Sequence, residues 1–326
     1  MNRRNFLRAS AALASASLFP ATAFAQYPDR PIRLIVPRTA GGVVDVIGRE
    51  WANRVQNSVG TVVIENMGGG GGTIGAVTAA RAPADGYTLF LGTTSESVLV
   101  PLLQKTNYDP AKDFVPVSIL SVSVGAIVVH PSVPAHNLKE LVAYAKANPG
   151  KLNYGSAGAG SSSNLTGELF KHLAGLPDIV HIPYKSATPG ITDLVAGQIP
   201  IMTPMISGNI VELHKAGKVR VLASASEQRM AAAPDIPTGA EQGFPDLVSQ
   251  LFVGLFAPTG TPQPVIDQLV KATAAVAGDK EWQAKLITAG FEPVVDSTPE
   301  KAAKYLKDEV ARWTPVLNAS GMAMSQ

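Results

Sequence analysis

The chain has 326 residues, with 27 basic and 25 acidic side chains and a formal charge of +2. Because the charge is nearly balanced and no run of lysine or arginine occurs, we expect neither nucleic acid nor an anionic membrane surface as a partner. The chain contains no cysteine, which excludes disulfides, thiolate nucleophiles and cysteine-based zinc sites. A chain of this length buries enough apolar surface to fold without such cross-links.

The N-terminal segment, MNRRNFLRASAALASASLFPATAFAQ, has the layout of an export leader. A basic start precedes a weakly apolar stretch and then small residues, so we predict a signal peptide over residues 1–25 and a periplasmic location. The string RRNFL matches the twin-arginine signal, and an ordinary secretion leader with an accidental arginine pair is the alternative. Removal of Arg3, Arg4 and Arg8, and of no acidic residue, changes the formal charge from +2 to −1.

After the leader, short β-branched runs alternate with longer helical patterns, which is typical of α/β units with mainly parallel strands. The first set predicts strands at 32–36, 62–65 and 87–92, and helices at 44–59 and 73–82. The second set predicts strands at 126–129, 151–156, 180–184, 200–205 and 219–224, and helices at 137–147, 164–175, 191–198 and 209–217. From about residue 250 the pattern is largely helical, over 262–278, 281–290 and 299–317.

Two sets of this size exceed what one open sheet usually holds, so we expect two lobes. The predicted first lobe begins with residues 26–125, and the second lobe is predicted over 126–249. Residues 250–326 are predicted to pack back on the first lobe.

Four loops that follow predicted strands are candidate ligand sites, because open α/β sheets bind ligands at the carboxyl ends of their strands. They are PRTAGGVVD at 37–45, GTTSES at 92–97, YGSAGAGSSSN at 154–164 and PYKSATPG at 183–190. A glycine turn that leads into a helix gathers unpaired N–H groups, which attract an anion. Helix capping by the same serines, threonines and glycines is the alternative for each loop.

Catalytic and cofactor motifs are missing from the sequence. The glycine run at 68–72 lacks the lysine of a phosphate-binding loop, and we interpret it as a flexible loop. Tyr154 takes the first glycine place of a nucleophile elbow around Ser156, and the five histidines show no metal-ligand spacing. Asp45 and Asp193 could act as bases, but a structural role near a helix start is favoured. We therefore predict binding without chemistry, and no cofactor or metal.

Longer motifs along nearly the whole mature chain carry a resemblance to a known family. They include YPDRPIRLIVP, GGVVD, APADGYTLFLG, YDPAKDFVPVS, NPGKLNYGSAGAGS and HIPYKSATPGITDLVAGQI. In combination they resemble the periplasmic solute receptors of tripartite tricarboxylate transporters, the Bug-type binding proteins. The resemblance implies an α/β, two-lobed fold of the periplasmic binding protein type II class, with a ligand cleft between the lobes. It also implies a receptor that closes on a small carboxylate and delivers it to a membrane permease.

The resemblance further implies which residues hold the carboxylate, mainly through backbone amides and hydroxyls. On the first lobe these are Gly41, Gly42, Val43 and Asp45, and on the second lobe Ser156, Gly158, Ala159, Gly160, Ser161, Ser162 and Ser163. Residues of neighbouring strand ends and loops are added to the candidate site: Thr93, Thr94, Asn164, Tyr184, Asp193, Thr203 and Phe252.

Two departures from the family pattern bear on specificity. Arg38, Thr39 and Ala40 stand where most relatives have an aromatic residue and prolines, and Asn164 stands in place of a histidine. If Arg38 points into the cleft, its guanidinium suits a carboxylate, and a second carboxylate on the ligand is one candidate partner. An orientation towards solvent is the alternative, because arginine is seldom buried without a partner.

The ligand we predict is a mono- or dicarboxylate, with aromatic acids included, and the receptor is expected to be a monomer. Two alternatives stay open from the sequence. One is a periplasmic sensor that presents its solute to a membrane signalling protein. The other is a hydrolase or lyase that uses a loop serine or Asp45.

Overall fold

The computed structural model describes residues 27–184 and 186–319, so the predicted signal peptide lies outside the described residues. The strands of the described chain are β1 (Ile32–Val36), β2 (Val62–Asn66), β3 (Thr88–Thr93), β4 (Phe114–Val124), β5 (Ala126–Val129), β6 (Asn153–Ser156), β7 (Val180–Pro183), β8 (Ile201–Met202), β9 (Arg220–Ser224), β10 (Gln250–Pro258) and β11 (Glu292–Pro293). The α-helices are α1 (Val43–Val59), α2 (Thr73–Ala80), α3 (Val100–Leu103), α4 (Pro110–Asp113), α5 (Leu138–Ala147), α6 (Ser162–Ala174), α7 (Ala187–Val195), α8 (Gly208–Lys215), α9 (Gln263–Gly278), α10 (Lys280–Thr288) and α11 (Pro299–Ala319), and a π-helix at Ser95–Leu99 precedes α3.

The strands form two sheets, in the orders β11-β4-β10-β3-β1-β2 and β7-β6-β8-β5-β9. Strand β1 pairs in parallel with β2 and β3, and β6 pairs in parallel with β7 and β8. The pairings of β10 with β3 and β4, of β11 with β4, and of β5 with β8 and β9 are antiparallel. The prediction of mainly parallel strands is therefore wrong, and both sheets are mixed.

The error comes from strand β5, which was predicted without its direction, and from strands β4 and β10, which the sequence patterns did not predict. Strand β10 lies between β3 and β4 although the whole second sheet separates it from them along the chain. A pattern of neighbouring residues carries no information about such a distant partner. The strand predicted at 200–205 is also shorter, because Pro200 and Pro204 have no N–H for the ladder and confine it to Ile201–Met202.

The strand directions bring two sets of strand ends together. Because β10 is antiparallel to both β3 and β4, the carboxyl ends of β1, β3 and β4 lie at one edge of the first sheet. Strand β5 is antiparallel to β8 and β9, so the carboxyl ends of β6 to β9 lie at the edge where β5 begins. Only Gly125 separates β4 from β5. The two edges that carry the candidate loops therefore adjoin at this crossing.

Helices cover the first sheet on both faces. Leu34 and Val36 pack with the buried Trp51 of α1, whereas Ile35 between them packs on the other face with Phe90. Trp51 also donates its indole N–H to Thr273 Oγ1 of α9 at 3.2 Å. Burial on both faces explains why β1 is an almost continuous apolar run. No helix in the described ranges is long and apolar enough to cross a bilayer.

Gly125 lies at the crossing between the sheets, where three chain segments meet. Its N–H donates to Ser249 O at 2.9 Å, and its carbonyl accepts from Ala225 N at 2.7 Å. Thr166 of α6 packs beneath it and forms a 2.7 Å hydroxyl contact with Ser249. A Cβ on Gly125 would collide with Thr166 Oγ1 and lie 2.9 Å from Thr166 Cγ2. Any side chain at this position would push the segments apart.

Replacing Gly125 with alanine is therefore expected to lower the free energy of unfolding by about 1–3 kcal/mol, because the new methyl group overpacks the crossing. Urea unfolding measures the effect. Gly278→Ala is the matched control, since a Cβ there meets nothing within 4 Å. Adding Thr166→Ala should recover part of the loss. Equal stabilities of the Gly125 and Gly278 variants would contradict the packing described here.

Candidate functional site

The first candidate loop, residues 37–45, joins β1 to α1 and is fixed by Asp45. This carboxylate is 1% exposed. Its Oδ2 accepts from Gly41 N at 2.8 Å and from Arg49 Nε at 2.9 Å, and its Oδ1 accepts from Asn66 Nδ2 at 2.9 Å. Burial acts to raise the pKa of Asp45, but these hydrogen bonds outweigh it and leave the pKa lowered. Asp45 thus stays ionised and holds the glycine turn in place.

Helix α1 begins at the end of this loop with unpaired N–H groups. Its N-cap is Gly42, with φ −73° and ψ 162°, so no side chain caps the helix. The N–H of Val43 has no partner among the described residues, and the side chain of Val43 is 47% exposed. An exposed helix start of this kind can bind an anion through its N–H groups and its dipole.

Arg38 takes neither of the two orientations considered from the sequence. Its guanidinium lies against the protein, where NH2 donates to Thr93 Oγ1 and to Glu96 Oε2, each at 2.9 Å. NH1 donates to Pro37 O at 2.7 Å. The Arg38 side chain is 30% exposed, and its Nε has no acceptor within the described part of the chain.

Glu96 is the buried partner of this ion pair and is 0% exposed. Its Oε1 accepts from Thr93 N at 2.5 Å, and its Oε2 accepts from Thr93 Oγ1 at 2.9 Å. Burial raises the pKa of Glu96, while the charge of Arg38 acts in the opposite direction. The predicted site residue Thr93 therefore organises an ion pair beneath the first loop.

The glycine run at 68–72 packs over this pair. A Cβ on Gly72 would lie 2.6 Å from Arg38 NH1 and 2.7 Å from Glu96 Oε2, and Gly72 has φ +99°. Residues Gly70–Gly72 form a 3₁₀ turn that leads into α2. Glycine is required here because the backbone approaches the ion pair closely.

Within the candidate stretch predicted at 154–164, residues 157–161 form the loop between β6 and α6, which we call the second candidate loop because it belongs to the second sheet. Side chains hold it at its two ends. Ala157 N donates to Ser163 Oγ at 2.7 Å, and Gly160 N donates to Asn164 Oδ1 at 2.9 Å. Ser161 is the N-cap of α6 and accepts from Asn164 N at 3.2 Å. In the first turn of α6, the N–H groups of Ser162 and Ser163 have no partner among the residues described.

The buried Ser156 connects this loop to strand β7. Its Oγ lies 3.1 Å from both the N and the O of Gly158, and 2.7 Å from His181 Nε2. The Gly158 backbone has φ +125°, a conformation open mainly to glycine. Sequence reasoning did not include His181 in the site. The parallel pairing of β6 with β7 brings His181 to the site, because it places this residue beside Tyr154.

The other predicted residues support the two loops in different ways. Thr203 Oγ1 donates to Ser163 O at 2.5 Å. Tyr184 OH donates to Asp193 Oδ2 at 2.7 Å, and burial together with this bond raises the pKa of Tyr184 to about 12. The residues at the exposed tips of the loops are Thr39, Ala40, Gly41, Val43 and Ala159.

Phe252 and Thr94 lie behind the first loop. Thr94 Oγ1 accepts from Phe252 N at 2.9 Å. The Phe252 ring is 0% exposed and packs edge-on against Tyr305, with ring centroids 5.6 Å apart. The structure places this side chain in the core, where it supports the strand ends.

Solved structures of other proteins share this fold. Rpa4515 from R. palustris, solved with adipate, is 33% identical, with 91% of this chain and 99% of that chain covered and a TM-score of 0.74. MatC from Rhodopseudomonas palustris, solved with bound malate, is 31% identical, with 89% and 100% covered and a TM-score of 0.70. The fold is that of the two-lobed periplasmic binding proteins, with a ligand cleft between the lobes.

The sequence comparisons give the family. The sequence pattern of the Tripartite tricarboxylate transporter family receptor matches residues 47–322. Protein BugT of Bordetella pertussis is 34% identical over 298 residues, which is 90% of each chain. The chain belongs to this family of solute-binding receptors, and the family predicted from the sequence is confirmed.

Proposed function

We propose that the protein is a periplasmic receptor that closes on a small organic carboxylate and delivers it to a membrane permease of the tripartite tricarboxylate type. The observation that carries this proposal is the pair of helix starts, α1 and α6, at the two adjoining sheet edges. Both offer N–H groups without a partner among the described residues. The ligands malate and adipate of two family relatives are carboxylates, which supports the same class here.

The charges around these helix starts favour a ligand held by hydrogen bonds. Arg38 is paired with Glu96, and Arg49 is paired with Asp45, so both cations are balanced by buried carboxylates. The ligand is then bound mainly by backbone N–H groups and serine hydroxyls, as hydrogen bonds to a charged group are strong in a site that excludes water. The Nε of Arg38, which has no acceptor among the described residues, is the charged donor that we assign to a second carboxylate.

We propose that the first lobe comprises residues 26–125 and 250–326, and the second lobe residues 126–249. Each lobe presents donors to one side of the carboxylate, so coordination is complete only when the cleft is shut. The ligand then favours the closed form by its higher affinity for it. The proposed hinge is the crossing between the sheets, where backbone hydrogen bonds join Gly125, Ala225 and Ser249.

A thermal melt of residues 26–326 against mono-, di- and tricarboxylates and aromatic acids tests the proposal, with inorganic phosphate and amino acids as controls. A carboxylate present at 100 times its dissociation constant should stabilise the fold by about 2.7 kcal/mol, which raises the melting temperature by a few degrees. The absence of any carboxylate shift, after removal of co-purified solute by unfolding and refolding, would count against the receptor.

Recovery of the bound acid distinguishes the receptor from its alternatives. Mass spectrometry should return the carboxylate unchanged after prolonged incubation, whereas a hydrolase or lyase using Ser156 or Asp45 would convert it. Capture experiments with the loaded protein on bacterial membranes should retain a permease. Retention of a signalling protein instead would favour the sensor.

A further inference from the structure

A serine and a histidine are in hydrogen-bond contact directly behind the second candidate loop. Ser156 Oγ lies 2.7 Å from His181 Nε2 and 3.1 Å from Gly158 N and Gly158 O. Ser156 is 0% exposed, and His181 is half-buried. The imidazole is therefore one hydroxyl group away from the backbone of the loop that we assign to the carboxylate.

The titratable and charged groups that face His181 come from β6 and α6. The Tyr154 ring stacks on the imidazole, with centroids 4.9 Å apart and an interplanar angle of 24°. Tyr154 OH donates to Glu168 Oε1 at 2.6 Å, and Lys171 Nζ lies 3.2 Å from the same oxygen. Glu168 and Lys171 offset each other. Lys185, which follows β7, lies outside the described residues.

Ser156 can satisfy both protonation states of the imidazole. When His181 is neutral and accepts at Nε2, Ser156 donates its single hydrogen to Nε2 and accepts from Gly158 N. When His181 is protonated, Nε2–H donates to Ser156 Oγ, and the serine hydrogen turns to Gly158 O. The bond from Gly158 N to Ser156 Oγ is kept in both states, and protonation adds the bond from Ser156 to Gly158 O, so the charge behind the loop changes without disrupting it.

We propose that His181 takes up a proton from solvent when a carboxylate binds to the second loop, so that carboxylate capture by this receptor is coupled to protonation. In the free protein, burial lowers the pKa of His181, and Lys171 also lowers it while Glu168 acts in the opposite direction. An anion on the loop favours the imidazolium form, and linkage requires that the imidazolium favours the anion equally. His181 acts as a positioning residue through Ser156. The inference rests on the proposed function.

Calorimetric titration with adipate, malate and benzoate at pH 6, in buffers of different ionisation enthalpy, tests the coupling. The wild-type protein should take up a substantial fraction of one proton for each carboxylate bound. Its dissociation constant should fall about tenfold between pH 8 and pH 6, towards the lower end of known couplings between sites. His181→Gln keeps a hydrogen-bonding group near Ser156 but cannot titrate, so it should bind with no proton uptake and a flat pH profile.

His172→Gln is the matched control, because His172 is an exposed histidine on α6. It should retain the proton uptake of the wild type, and thermal melts should show that both variants fold. A binding enthalpy of the wild type that does not depend on the buffer would overturn the coupling and leave the receptor function standing. Proton uptake that persists in His181→Gln would also overturn it. No heat with any of the three acids would count against the proposed function and remove the basis of this inference.

Discussion

Replacing Arg38 with alanine is expected to lower the free energy of unfolding by about 3 kcal/mol at pH 8, because it leaves a fully buried carboxylate without its cation. Glu96 is 0% exposed, and its remaining partners are its own backbone N–H and the N–H and hydroxyl of Thr93. Those bonds do not compensate a negative charge that is withdrawn from water. Urea unfolding of the ligand-free chain, wild type and variant, measures the loss.

The loss should shrink as the pH is lowered. Burial raises the pKa of Glu96 above the usual 4.5, so the folded state holds a proton at a pH where the unfolded state has released it. Such a group reduces stability as the pH rises above 4.5, and removal of Arg38 raises the pKa further. The Arg38→Ala variant should therefore be closer to the wild type at pH 5 than at pH 8.

Two comparisons make this prediction specific. Adding Glu96→Gln to Arg38→Ala should restore much of the stability at pH 8, since the buried charge is gone. Arg33→Ala is the matched control, because Arg33 pairs with Glu65 on the surface and such pairs are worth about 0–1 kcal/mol. Equal losses for Arg38→Ala and Arg33→Ala would show that the buried ion pair does not stabilise the fold.

Proline at the first position of α1 or of α6 should weaken carboxylate binding by about tenfold to a hundredfold without unfolding the helix. Proline is well tolerated at this position, and it removes one N–H. The preceding residues already have the extended backbone that proline requires, with φ −73° and ψ 162° at Gly42 and φ −72° and ψ 157° at Ser161. A hydrogen bond to a charged group is worth about 1.5–3 kcal/mol.

Calorimetry of Val43→Pro, Ser162→Pro and the double variant measures the affinity, and urea unfolding checks the fold. The double variant should lose more affinity than either single variant, because the two lobes hold the same ligand. Lys280→Pro is the control, since Asp279 before it has φ −71° and ψ 120°, and the start of α10 pairs with Arg54, well along α1 from the loop at its start. If both single variants bound the carboxylate with the affinity of the wild type, these N–H groups would not belong to the binding site.

The sequence predicts the elements of this fold better than their arrangement. Strand β1, helix α1 and the two glycine loops are visible because local spacing and turn residues determine them. Strands β4 and β10 were not predicted, because their pairing joins segments that are distant along the chain. The family resemblance implied which residues of these loops hold a ligand but gave no geometry for the side chains around them.

The partners of individual side chains were the least predictable part of the candidate site. Arg38 and Glu96 are 58 residues apart, and no sequence spacing relates them. The network that joins Ser156 to His181 depends in the same way on the pairing of two strands. Asp45 is a partial exception, because an aspartate early in a helix after a glycine turn already indicated a structural role.

The central claim is that the starts of α1 and α6 bind an ionised carboxylate through their unpaired N–H groups, and calorimetric titration of residues 26–326 with an acid and its neutral amide tests it most directly. The pair is adipate and adipamide, or the acid that gives the largest thermal shift and its amide. The account predicts that the acid binds at least about a hundredfold more tightly, since only the acid makes charge-assisted hydrogen bonds. Equal affinities for the acid and the amide would contradict it.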